Sequence, residues 1–320
     1  MSDAASTPSS FSAETTFRSF NRQQGTNYAQ NRGDYHPRLY QIIIDHHTST
    51  GGQLNTILDV GCGPGTAVRA LAPRFAHAIG LDPSEGMIST ARSLGGVSSN
   101  SEPIRFDVST AEDLTSNLSL PIPDGSVDLI TAATAAHWFD MSGFWPRAAQ
   151  VLRPGGSVAL WTSSSVRIHP SMPNCAAIQA AIDKHEELLR DYMVLGNRLA
   201  RDLYVDLSLP WTLATPVPEF DEATFLRKEW NTGVESEPED QFFADQQPVD
   251  LDTMEKTLGT TSPITRWRAA HPDAVGTERD VVRMIRREFE RLLHEAGVEK
   301  GKEIVKGDAT GVLLVVKKKA

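Results

Sequence analysis

Ile57-Leu58-Asp59-Val60-Gly61-Cys62-Gly63-Pro64-Gly65-Thr66 decides how the rest of this chain is read. A short apolar run ends in three glycines at alternate positions, and a helix-forming stretch follows. That pattern predicts strand, tight turn and helix N-terminus, with backbone N–H groups open to a ligand because glycine has no Cβ in the way. The spacing is G-x-G-x-G, not the G-x-G-x-x-G of pyrophosphate-binding folds. A second apolar run, Ala78-Ile79-Gly80-Leu81, ends at Asp82, 21 residues after Gly61. An acid there is placed to take the two hydroxyls of a ribose.

The same alternation continues outward. Strands are expected at Thr56–Val60, up to Asp82, at Ile104–Val108, Leu129–Ala133 and Ser157–Trp161, with helical periodicity between them. Ser84 reads as a helix N-cap with Glu85 in the first turn. This order predicts an α/β fold with a doubly wound, mostly parallel sheet. Later strands are expected at Ala223–Thr232 and Gly311–Lys317, and a long amphipathic helix at about Glu278–Ala296. The reading divides the chain into a disordered tail (1–16), an N-terminal helical flap (17–55), a nucleotide-binding core (56–165), a cap or substrate region (166–270) and a C-terminal helix with the final strand of the core (271–320). Acidic residues 235–247 are expected to be exposed.

Composition narrows the function. Forty per cent of the 320 residues are hydrophobic, a globular value, and the net charge is −10. That charge argues against nucleic acid as a partner but leaves room for a small anion. Two cysteines form no disulfide framework, and Cys62 reads as a small filler of the turn. No apolar run reaches membrane-spanning length, so a cytoplasmic protein with no membrane partner is expected. The histidines show no metal-ligand spacing, and no metal is expected.

Several positions carry two readings. Tyr28 and Arg32 lie in a Tyr- and Arg-rich segment ahead of the first strand, which is either a flap offering them to a substrate or a surface helix packed on the core. Met87 lies against a nucleobase or in the core. Ala111 and Glu112 flank a nucleobase or open a helix. His137-Trp138 leaves the end of a central strand, where a parallel sheet binds its ligands. His137 is a general base, an orienting group or a structural hydrogen-bonder.

With these residues placed, the chain resembles the class I S-adenosylmethionine (AdoMet) methyltransferases, near the fungal trans-aconitate and cantharidin methyltransferase group. The motifs are Tyr28…Arg32…Tyr35-x-Pro37, Leu58–Gly65, His137-Trp-Phe-Asp140 and Leu152-Arg-Pro-Gly-Gly156. The resemblance implies a Rossmann-like, seven-stranded core with a helical cap. It also implies S-adenosyl-L-methionine as cofactor, held by Asp59, Gly61, Cys62, Gly63, Gly65, Asp82, Pro83, Met87, Ala111, Glu112 and Ala133. The implied substrate residues are Tyr28, Arg32, His137, Trp138, Arg198, Ser262 and Trp267. The group often methylates a carboxylate oxygen. Relatives often have an acidic or polar residue between Ala133 and Ala136, where this chain has only Thr134.

The acceptor is therefore expected to be a small, acidic molecule. A carboxylate needs no base, only a cation, and Arg32 and Arg198 are the candidates. A hydroxyl would need His137. The rival reading is a methyltransferase fold that uses AdoMet only as a fixed positive charge and catalyses rearrangement, cyclisation or dehydration. A nicotinamide dehydrogenase is disfavoured by the glycine spacing.

Overall fold

The computed structural model describes residues 14–114, 118–231 and 248–320. Most of the expected tail, Thr232 and the acidic 235–247 stretch lie outside the described residues. Two helices lead the chain: α1 (Arg22–Asn31), closed by a capping box between Asn21 and Gln24, and α2 (Pro37–Ser49), which begins on a proline whose missing N–H is not needed there. Then come β1 (Thr56–Val60), α3 (Thr66–Leu71), β2 (His77–Asp82), α4 (Glu85–Leu94), β3 (Arg105–Val108), β4 (Val127–Ala133), α5 (Met141–Val151) and β5 (Leu152–Ile168). Ser84 caps α4 and Asp140 caps α5 through their side chains.

The sheet runs β3-β2-β1-β4-β5 in parallel. It is extended by β9 (Gly307–Lys318), antiparallel to β5, and by β6 (Phe220–Trp230), antiparallel to β9. This is the expected seven-stranded, mostly parallel sheet. One apolar cluster fills the face under α5, and another the face under α2, α3 and α4. All five residues of β1 are buried, as a central parallel strand requires.

β5 differs from the sequence reading at both ends. Leu152-Arg-Pro-Gly-Gly156 ends α5, with Leu152 as its C-cap, and is also taken into β5. Leu152 pairs with Val127 and Ser157 with Leu129, so the Pro-Gly-Gly residues are absorbed as a bulge. The strand also runs on to Ile168 because the long β9 supplies it with partners.

The cap consists of α6 (Cys175–Leu188), α7 (Leu195–Arg201), β7 (Val249–Asp250), α8 (Leu251–Leu258), α9 (Ser262–Ala270), α10 (Val281–Glu295) and β8 (Ile304–Val305), which pairs with β7. The amphipathic stripe of α10 buries Val281, Ile285, Phe289 and Leu292 in a third apolar cluster, shared with α6, α8 and α9. The stripe fixes that a helix is buried on one side; it does not say against what. Among the described residues no helix is long and apolar enough to cross a membrane.

Candidate functional site

The glycine turn sits at the carboxyl end of β1, beside the ends of β2 and β4. Gly61 and Gly63 have φ of +65° and +54°, in the left-handed region that side chains resist. A Cβ on Gly61 would come 2.7 Å from the Ala135 Cβ, whereas one on Gly63 would meet nothing within 4 Å. Gly61 therefore permits close contact with the β4 end, and Gly63 opens the backbone to a cavity. Cys62 N donates to Leu81 O at 2.9 Å and holds the turn against β2. Its thiol is buried and free, and burial pushes its pKa well up, so it is an inert filler.

Asp82 closes the arrangement. Its Oδ2 accepts from Gly63 N at 2.9 Å and its Oδ1 from Ser84 N at 2.8 Å. Burial nevertheless raises its pKa to about 6. Each carboxylate oxygen keeps a further acceptor site, enough to take two hydroxyls.

Asp59 has another part. It is fully buried below the turn and does not line the cavity. Its Oδ1 accepts from Thr131 Oγ1 at 2.6 Å, tying β1 to β4, and burial raises its pKa to about 7. Asp59 was expected at the cofactor; it lies under the glycines, one layer back from the cavity wall. Gly65, N-cap of α3, likewise lies off the cavity, with Phe106 beneath it.

The cavity holds about 1430 Å³. Its walls bring together Gly61, Cys62, Gly63, Asp82, Pro83, Met87, Ala111, Glu112 and Ala133 with Tyr28, Arg32, His137, Trp138 and Ser262. Glu112 is partly committed, since its Oε1 accepts from Asp140 N at 2.8 Å at the start of α5. Arg198 and Trp267 do not line the cavity. On α7 it is Asn197, Ala200 and Arg201, at helical spacing, that face it, and Arg198 is exposed on another side. Trp267 is buried in the cap, stacked on His271 with ring centroids 4.3 Å apart. One turn back on the same helix, Ser262 does face the cavity.

His137 is 8% exposed and its Nδ1 is 2.9 Å from Tyr204 Oη. Burial lowers its pKa to about 3. The ring is thus neutral at working pH, and so weak an acceptor of protons is a poor general base. Gly196 of α7 lies directly on this turn, where a Cβ would come 2.4 Å from the Trp138 ring.

Segment 14–36 lies over the cleft. Phe17 packs edge-to-face on Phe20, Tyr28 and Trp138 at 5.3, 5.9 and 6.1 Å. Glycines let α1 lie close on α4: a Cβ on Gly25 would be 2.7 Å from Gly86 O, and one on Gly86 2.2 Å from Phe20 O. At the end of α1, the Arg32 guanidinium sits over the Tyr28 ring, 5.3 Å from its centroid. Among the described residues Arg32 has no carboxylate in ion-pair range, and its Nε is buried without a hydrogen-bond partner. The segment's aromatics pack on one another and on Trp138, and its arginine lines the cavity.

Sequence reasoning missed some of the site. Arg266 donates through Nε to Tyr192 O at 2.8 Å, through Nη1 to Thr16 Oγ1 at 3.0 Å, and through Nη2 to Asn197 Oδ1. Asn197 Nδ2 donates in turn to Ser262 Oγ at 3.0 Å. This network clasps the flap, α7 and α9 around the cavity, and no local signal marks it because its members are up to 250 positions apart. Thr134 was noted only as a departure. Its φ of +52° is a strained value for a β-branched residue, and its Oγ1 is 2.9 Å from Tyr35 Oη, which joins the end of β4 to the flap.

Residues 58–160 match the family described as a methyltransferase domain. Over these residues the chain is similar to methyltransferase domains. A Dictyostelium discoideum protein that bears a methyltransferase name is 31% identical over 182 residues, 56% of this chain and 62% of that one, so the match spans less than two thirds of the relative. The trans-aconitate 2-methyltransferase of Variovorax paradoxus is 28% identical over 238 residues, 68% of this chain and 84% of that one. A solved structure from Anaeromyxobacter dehalogenans, named for a type II methyltransferase, superposes with a TM-score of 0.56 at 23% identity, over 90% of this chain and 97% of that one. It supports the fold alone.

Proposed function

We propose that this protein binds S-adenosyl-L-methionine in the cleft at Gly61–Gly63 and Asp82 and methylates a carboxylate oxygen of a small acidic molecule. The residues present fit the cofactor. Asp82 keeps acceptor capacity for the ribose hydroxyls, and the Gly63 backbone is open to the cavity. Met87, Ala111 and Glu112 line the same cleft, where a base would lie. Glu14, Asp34, Asp82 and Glu112 outnumber Arg18 in this part of the cavity and give it a net negative lining suited to a cationic group.

When bound, AdoMet supplies an activated methyl group, so the protein need only orient the acceptor and exclude water. Arg32 carries the reading. A guanidinium that lines the cavity with no carboxylate partner among the described residues is matched to an incoming carboxylate, which it can hold bidentately. The Tyr28 ring centroid lies 5.3 Å from the Arg32 guanidinium carbon. Phe17 and Trp138 cover the cleft, and the Arg266 network holds that cover to the cap. His137, neutral and bonded to Tyr204, supports the wall and takes no proton. A carboxylate acceptor, ionised at neutral pH, asks for none.

The test is incubation with methyl-labelled AdoMet and a panel of carboxylic acids, followed by extraction and alkaline hydrolysis. Label released as methanol, equimolar with S-adenosylhomocysteine, is the expected result. Label in an alkali-stable product would refute the carboxylate acceptor, and product formed without S-adenosylhomocysteine would favour the rearrangement or dehydration reading.

A further inference from the structure

The cavity does not end at the cofactor cleft. It continues beneath the cap, where Ile182, Leu189, Met254, Ile264, Ile285 and Phe289 form its wall. These side chains come from α6 and the residue after it, and from α8, α9 and α10, and they belong to or pack against the cap's own apolar cluster. The inner face of that cluster is therefore turned toward open volume. At about 1430 Å³ the whole cavity exceeds the ~300–1,000 Å³ usual for one ligand, so it has room for an acceptor beside the cofactor. Unfilled apolar volume is unfavourable, because its lining atoms lack contact partners, and it accepts apolar guests.

Arg32 stands at the junction of the two parts. Thr257 Oγ1 of α8 donates to Asn31 O at 3.3 Å, which seats the helix that carries Met254 against the residue preceding Arg32. Of the ionisable side chains that line the cavity on the cap side, Arg201 is already held by Asp202 at 3.0 Å, Lys256 is exposed, Glu186 is acidic, and burial holds His185 toward its neutral form. A tricarboxylate such as trans-aconitate would need several free cations and would meet an apolar wall.

We propose that the acceptor is an amphipathic monocarboxylic acid, its carboxylate at Arg32 and an extended apolar body under the cap between α6, α8, α9 and α10. This rests on the reading of the cleft as a carboxylate methyltransferase site and adds the shape and polarity of the acceptor.

Binding alone tests it. The protein, saturated with S-adenosylhomocysteine, is titrated calorimetrically with butanoate, dodecanoate, dodecanol and propane-1,2,3-tricarboxylate. Dodecanoate is expected to bind at least ~100-fold more tightly than butanoate, given the free energy of burying each added methylene, and ~10-fold more tightly than dodecanol. Met254→Gln, which keeps the side-chain length, should weaken dodecanoate several-fold and leave butanoate unchanged. Arg32→Gln should close the gap between acid and alcohol while leaving dodecanol unchanged. Equal affinity for butanoate and dodecanoate, or tightest binding of the tricarboxylate, would overturn the proposal. If S-adenosylhomocysteine itself fails to bind, the cofactor reading falls, while the chain-length series on the unliganded protein still decides this one.

Discussion

Replacing Gly86 by alanine sets two effects of opposite sign against each other. Gly86 lies in the first turn of α4, and in a helix alanine is favoured over glycine by ~0.8–1.0 kcal/mol. Propensity alone would stabilise the protein. The structure forbids that gain: the new Cβ would lie 2.2 Å from Phe20 O and 2.6 Å from Asn21 C and O. These are backbone atoms at the entrance to α1, so no rotamer change relieves the overlap, and α1 must shift by about an ångström. Overpacking of this kind costs ~1–3 kcal/mol. Because Gly25 is the only buried residue of α1 and packs on Gly86, the cost falls on the docking of this helix. Amide exchange across Arg22–Asn31 should therefore quicken by roughly 5–150-fold while the sheet strands keep their protection. The Michaelis constant for the acceptor should rise by a similar factor, since α1 carries Tyr28 and leads to Arg32. Unchanged exchange in α1, or a melting temperature raised as propensity alone dictates, would refute the claim that this glycine contact seats the flap.

Arg32→Gln should raise the acceptor KM by roughly 10–100-fold, the worth of a charge-assisted hydrogen bond, with little effect on S-adenosylhomocysteine affinity; Arg198→Gln, on the exposed side of α7, should change neither, and steady-state kinetics with calorimetry reads both. Asp59→Asn should stabilise the unliganded protein at pH 8 by about 2–4 kcal/mol and hardly at all below pH 4. Its folded pKa is raised from 3.8 to about 7, so the favourable contribution present below pH 3.8 is lost as pH rises through about 7, and urea melts at the two pH values check this. His137 works in the opposite direction: its pKa is lowered from 6.5 to about 3, so stability falls as the solution is acidified through that window, which acid unfolding of the native protein and of His137→Gln would show. With that ring neutral and the acceptor ionised, His137 should add no limb to the kcat profile between pH 6 and 9, and a limb near 6.5 that His137→Gln removes would contradict the assignment.

The core was legible because its signals are local. The alternation of apolar runs with helical stretches gave the five parallel strands, and Gly61, Gly63 and Asp82 lie at strand ends where topology places a ligand. The flap and cap were less legible because their contacts are distant in sequence. Arg198 and Arg201 share a short helix, and only its packing decides which one faces the cavity. Trp267 is as apolar as a lid residue should be, yet its ring stacks on His271 inside the cap. The role of His137 turned on burial, and burial of a single polar residue cannot be read from its neighbours in the chain. The helix stripe of α10 marks a buried face but, for the same reason, does not name what it packs against.

The most direct test is calorimetric titration of the native protein and of Asp82→Asn with S-adenosyl-L-methionine. The native protein should bind one equivalent, and the variant, which loses charge-assisted bonds to the ribose, should bind ~10–100-fold more weakly while melting as a folded protein. Equal affinity in the two proteins, or no binding by the native one, would contradict the assignment of the Gly61–Gly63 and Asp82 cleft as the cofactor site.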